Sequence, residues 1–133
     1  MTFVRARLAP IAPITVPVAD CFPCLQAVSS RSVNFQKKMA GSTMKFILSD
    51  DVNVDAAKTG MTLTLSISVD GGSCEATYAR SYKSAGALHM EVLLPSLMEG
   101  EHNVALCAQS STTDVVLSGQ TSFIEVTETL PLD

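Results

Sequence analysis

The sequence predicts an all-β chain, an antiparallel β-sandwich of about seven short strands preceded by an extended N-terminal arm. Three observations predict it. Met61 to Val69, MTLTLSISV, alternates apolar and hydroxyl side chains without a break, the period-2 pattern of a half-buried strand. Apolar runs are punctuated by turn residues, Asp70-Gly71-Gly72-Ser73 and Met98-Glu99-Gly100-Glu101, at the spacing of short strands. Only 17% of the residues are charged and there is no Trp, while Ser and Thr are plentiful, which suits strands and loops better than helices carrying charge ladders. With 133 residues, 47% of them hydrophobic, the chain fits one domain with a real core.

The arm is expected over residues 1–42 and the sandwich body over 43–133. Phe3 to Leu8 reads as a first strand. Pro10, Pro13 and Pro17 then hold the chain extended, because each fixes its own φ and pushes the preceding residue out of the helical region. Cys24 to Met39 reads as loop and strand, the strand lying near Ser32 to Lys37. In the body, Lys45 to Ser49 and Met61 to Val69 are strands, Cys74 to Tyr82 fills the return, and Leu88, Met90, Val92 and Leu94 form the inward row of the next strand, closed by Pro95. Val104, Leu106 and Ala108 alternate in another, Val115 to Leu117 is a short run, and Thr121 to Thr127 is the last. Ser49 to Gly60 and Ala108 to Ser118 are the expected long loops.

Charge is unevenly placed. Arg5, Arg7, Arg31, Lys37, Lys38 and Lys45 face only Asp20 in the first 45 residues, whereas the rest of the chain is strongly acidic and the net charge is −4. A basic leader on an acidic body is expected to dock on that body rather than to bind nucleic acid, since the basic residues are scattered and lack interleaved aromatics. The three prolines also break what would otherwise resemble a signal-peptide core before Ala19, and no apolar run is long enough to cross a membrane as a helix. Asn34, Asn53 and Asn103 all lack the Ser or Thr of a glycosylation acceptor.

The runs Ile67-Ser-Val-Asp-Gly-Gly72, Leu94-Pro-Ser-Leu-Met-Glu-Gly-Glu-His-Asn-Val-Ala-Leu-Cys-Ala108 and Thr121-Ser-Phe-Ile-Glu-Val-Thr-Glu-Thr-Leu-Pro131 resemble immunoglobulin-like and fibronectin type III-like modules. The resemblance covers about residues 45–131. It implies an immunoglobulin-like sandwich, with Gly100 as the turn glycine and His102 where such modules often carry a corner tyrosine. The pattern departs from antibody domains in lacking a core Trp and in placing Cys107 out of phase with Val104 and Leu106, so an inter-sheet disulfide is not expected. Such modules adhere, space or present, and the fold names no ligand.

Candidate chemistry is sparse. Cys21-Phe-Pro-Cys24 has the spacing of a thiol-disulfide enzyme, with Cys21 as the exposed thiolate and Cys24 as the resolving thiol, but the following segment is a poor helix and strands replace the expected βα units. A local structural role is the favoured reading. Zinc ligation by Cys21, Cys24, Cys74, Cys107, His89 or His102 lacks a recurring knuckle spacing, and Cys74 and Cys107 are expected either buried or bridged to each other. Asp51-Val-Asn53-Val-Asp55 begins like a calcium loop but has Ala56 and Thr62 where a glycine and a bidentate glutamate belong, so it reads as a solvated acidic turn. His89 and His102 lack a nucleophile context.

The sequence therefore assigns no catalytic, cofactor-binding or metal residue and no cofactor. It predicts a non-enzymatic structural or protein-interaction module within a larger assembly, with protein partners or neighbouring subunits, and with strand edges, end loops and the arm as contact surfaces. An extracellular or surface-associated location is favoured. The alternatives are a thiol-disulfide oxidoreductase using Cys21 and Cys24, and a calcium- or glycan-binding adhesion module.

Overall fold

The computed structural model describes residues 1–8, 12–19, 25–54, 61–118 and 122–131. These form two packed antiparallel sheets built from β1 (Thr2–Leu8), β2 (Ile14–Thr15), β3 (Gln26–Lys37), β4 (Thr43–Asn53), β5 (Leu63–Val69), β6 (Arg80–Tyr82), β7 (Gly86–Leu93), β8 (Gly100–Ser110), β9 (Val116–Leu117) and β10 (Phe123–Thr129). The larger sheet runs β1-β10-β4-β9-β2, with β7 on the other side of β4. The smaller runs β3-β8-β5-β6. The all-β sandwich is as expected; the strands number more than seven among the described residues because β2, β6 and β9 are two- and three-residue pieces.

The core lies between the sheets. Met44, Phe46, Leu48 and Val52 of β4 and Leu88, Met90 and Val92 of β7 face Leu63, Leu65 and Ile67 of β5 and Val104, Leu106 and Ala108 of β8. Burying such a side chain contributes roughly 1.5–3 kcal/mol, so this row of aliphatics holds the two layers together. The predicted phase of β5, β7 and β8 is observed. In β5 and β8 the opposite row is covered as well: Thr64, Ser66, Ser68, Cys107 and Gln109 are buried, although the pattern of β5 reads as that of a half-buried strand.

Two expected loops are partly strand. Ser49 to Asn53 continues β4, so the solvated acidic turn predicted at Asp51 is, as far as Asn53, paired backbone: Asp51 opposes Ala87 and Asn53 opposes Val116. Ala108 to Ser110 likewise completes β8, and Val116–Leu117 forms β9. Leucine, valine and the inward Asp50 keep the period-2 pattern of β4 going past the point where its acidic composition suggests a stop.

Residues 1–42 supply β1, β2 and β3 to the two sheets. Their basic side chains meet the acidic body, as the charge asymmetry predicts. Arg7 Nη1 donates to Glu125 Oε2 at 2.5 Å, Arg5 Nε to Glu128 Oε1 at 2.7 Å, and Arg31 Nη1 to Asp50 Oδ2 at 2.6 Å.

Glu128 is the tightest of these junctions. Its fully buried carboxylate accepts from Arg5 on β1, from the Lys38 and Met39 N–H groups at 3.1–3.2 Å, and from the Ser42 hydroxyl. One side chain thereby ties β1, β10 and the β3–β4 turn together. Burial pushes its pKa up, but the bonds from Ser42, Lys38 N–H, Arg5 and Met39 N–H outweigh it and bring the value from 4.5 to about 2. Because the folded value lies below the unfolded one, the stability it contributes is full above pH 4.5 and is lost as the pH falls towards 2. The shift corresponds to about 3 kcal/mol. Urea unfolding across this range should show the loss, and Glu128→Gln should flatten it while lowering stability at neutral pH. An unchanged acid limb in the variant would remove Glu128 as its source.

Candidate functional site

One end of the sandwich is shaped by the turn after β5 and the loop between β7 and β8. Asp70 and Gly71 take positive φ, 54° and 73°, so the chain reverses at once after Val69. Gly72 N–H donates to the Val69 carbonyl at 3.0 Å and Ser68 Oγ to the Gly72 carbonyl at 2.7 Å, which fixes the turn. Asp70 is then held against β8. Its Oδ1 accepts from Asn103 N–H at 2.8 Å, and its own N–H donates to the Asn103 carbonyl at 2.8 Å.

His102 completes the end. Its Nδ1 lies 2.7 Å from Asp70 Oδ2 and its Nε2 lies 2.6 Å from the Met98 carbonyl, while the ring stacks on Phe35 with centroids 5.7 Å apart. Both ring nitrogens face acceptors, which favours the doubly protonated ring. The hydrogen bond to Asp70, then that to Met98, raises its pKa. Burial pushes the Asp70 carboxyl up, but its bonds from His102 and Asn103 N–H prevail and hold it below the ordinary range. The ring held in this way clamps the loop to the strand.

Two clefts meet at Asp70. One, of about 390 Å³, is lined by Asn34, Glu101, His102 and Asn103, with Asn103 Nδ2 donating to Asn34 Oδ1 at 2.9 Å. The other, of about 450 Å³, is lined by Val69, Glu75, Tyr78, Pro95 and Leu97, a mixed apolar and acidic wall. Met98 stands beside them, 83% exposed. The segment that carries Glu75 and Tyr78 is tied to β8 by the Cys74–Cys107 disulfide, with Cα atoms 6.1 Å apart, and to β5 by Ser66, whose hydroxyl donates to the Glu75 carbonyl.

The sequence candidates fall as follows. Cys74 and Cys107 form the mutual bridge, and Cys107 sits on the outer row of its strand, opposite Ser66, as its phase implies. Cys21 and Cys24 lie outside the described residues. Asp51 and Asn53 belong to β4 and, with Pro13, Val116 and Ser118, line a separate cleft of about 440 Å³, while Asp55 to Gly60 lie outside the described residues. Among the described residues no group of three or more His, Cys, Asp or Glu is arranged to hold a metal ion. His89 points outward on β7, 3.7 Å from Glu91.

Sequence reasoning missed Asp70 as the partner of His102, which lies 32 residues away, and Tyr78 and Leu97 as cleft walls. It also missed a buried ion pair. Arg31 and Asp50 are fully buried between the sheets; Arg31 Nη2 donates to the Ala12 and Leu117 carbonyls at 3.0 and 3.1 Å, and Asp50 Oδ1 accepts from Ser122 Oγ at 2.6 Å and Asp51 N–H at 2.7 Å. A signal was present, since period 2 carried through Arg31-Val33-Phe35 and Phe46-Leu48-Asp50 puts Arg31 and Asp50 on the inward rows.

No protein-family model matches the chain, and no curated protein matches it at a significant level.

Proposed function

We propose that the chain is an immunoglobulin-like interaction module of a larger extracellular or surface assembly, and that it engages a protein partner through the end of the sandwich around Asp70. The carrying observation is the pair of clefts that meet at this residue, walled by Tyr78, Pro95 and Leu97 on one side and by Asn34 and Glu101 on the other. Apolar walls with convergent polar groups beside an exposed Met98 suit a protein segment carrying an apolar anchor and a basic or amide group. The titratable groups described above support a binding role over catalysis, because His102, Asp70, Asp50 and Glu128 are engaged in holding strands together.

The immunoglobulin-like reading draws support from the β4–β7 and β5–β8 pairings in opposite sheets and from His102. Its bond to a carbonyl four residues upstream, at the start of β8, is the bond a corner tyrosine makes. The outer strands are arranged differently, with β3 beside β8 and β10 beside β4, and the disulfide lies on one sheet. The disulfide supports an oxidising compartment.

The test is affinity purification with cross-linking from the native source, using the parent chain and a Tyr78→Ala, Leu97→Asp variant that retains the parent melting temperature. A partner recovered with the parent and lost with the variant supports the proposal. Equal recovery with both overturns it.

A further inference from the structure

Among the described residues, five strands have a neighbour on one side only: β1, β2, β3, β6 and β7. Four of them are blunted. β2 and β6 are two and three residues long, and β1 and β3 carry register shifts between Val4 and Ala6 and between Ala27 and Ser32. β7 differs, running eight residues against β4 in continuous register from Lys45↔Leu93 to Val52↔Gly86. It carries no proline and no lysine. A long, regular edge of this kind is what folds ordinarily avoid leaving open.

The phase of its backbone follows from one bond. Leu94 N–H donates to the Met44 carbonyl at 2.9 Å, continuing the same register, so Leu88, Met90 and Val92 exchange bonds with β4. Ala87, His89, Glu91 and Leu93 therefore direct their N–H and C=O groups away from the sheet. The His89 carbonyl does so visibly, accepting a long 3.4 Å bond from the Tyr82 hydroxyl and keeping a second lone pair for another donor. The side chains of these four residues are all exposed, Leu93 by 59%.

We propose that β7 pairs antiparallel with β7 of a second copy of this chain, about a two-fold axis at Met90, joining the larger sheets of two molecules into one. Charge selects this occupant and this register. With the axis at Met90, His89 faces Glu91 of the second copy and Glu91 faces its His89, while Ala87 and Leu93 face each other at both ends, and all of these residues carry outward backbone groups. An axis at Glu91 sets like charges against each other, and one at His89 leaves Glu91 opposite alanine. Lys45 Nζ, 3.5 Å from Glu91 on the neighbouring strand, adds positive charge behind the same pair. The pairing is isologous and closes as a dimer. It uses a surface different from the clefts at Asp70 and stands without them.

The experiment is sedimentation equilibrium of the full chain at concentrations up to about 1 mM. The parent is expected to be a dimer. His89→Glu places carboxylates opposite one another and should weaken the dimer by about tenfold or more, and His89→Glu combined with Glu91→Lys should restore it. Glu91→Pro is the second test. Its N–H faces away from β4, so the proline blocks the edge without removing a bond of the sheet, and a monomer with the parent melting temperature is expected. A parent that stays monomeric throughout, a dimer indifferent to both single variants, or a monomeric parent that captures an extended peptide on β7 would each overturn the proposal.

Discussion

Asp50→Ala is expected to destabilise the chain by about 3–5 kcal/mol, measured by equilibrium urea unfolding at neutral pH. The reason is what it leaves behind. Arg31 is fully buried, and its Nη1 donates to Asp50 while, among the described residues, its Nη2 reaches only backbone carbonyls, so the variant strands an uncompensated guanidinium between the sheets. Burial already pulls the Arg31 pKa down and the Asp50 charge opposes that, yet guanidinium does not shed its proton in the accessible range. Arg31→Met should cost less, because the Asp50 carboxylate keeps Ser122 Oγ and the Asp51 N–H as donors. Arg31→Met with Asp50→Leu removes both charges and should recover most of the loss, since replacing a buried pair with apolar side chains is often neutral or better. An Asp50→Ala cost within about 1 kcal/mol, the range of an exposed pair, would mean that water reaches Arg31.

The same two residues mark where the sequence stopped being legible. β7 reads cleanly because Leu88, Met90 and Val92 are buried while its intervening residues meet solvent, so period 2 maps directly onto burial. β4 reads short because Asp50, Asp51 and Asn53 look like a turn; the strand continues because the inward Asp50 finds Arg31 at a distance of 19 residues in sequence. β3 reads short for the matching reason. Gln26 to Arg31 has poor strand composition, and its pairing partner, β8, lies far along the chain. The hydroxyl row of β5 reads as the second face of a half-buried strand because nothing local announces the segment at Cys74 to Tyr78 that reaches it. At the candidate site, His102 reads as a corner residue by resemblance, and it stands third in β8. Its work is done by contacts with Asp70 and Met98, and the first of these depends on tertiary pairing that period and turn chemistry do not encode.

Cys74→Ala with Cys107→Ala is expected to lower stability by about 4 kcal/mol, or on the order of 10–15 °C in Tm. The bridge spans 33 residues and encloses β6, β7 and the β7–β8 loop that helps wall the cleft at Tyr78, so its removal restores a large loop's freedom to the unfolded chain. Cys107 is fully buried, and alanine there also removes packed sulfur contacts. Reductant alone cannot assign the effect, because the sequence holds two further cysteines, Cys21 and Cys24. The assignment needs thermal melts of Cys21→Ser, Cys24→Ser with and without reductant: this variant keeps only the Cys74–Cys107 bridge, and the full drop should appear when that bridge is reduced. The pairing with Ser66 and the Ser66 bond to the Glu75 carbonyl remain available after reduction, so the sandwich should still fold, with the turn at Asp70 and the wall at Tyr78 exchanging amide hydrogen fastest. A Tm that does not move on reduction would show that burial around Cys107, rather than the covalent link, holds the cleft in place.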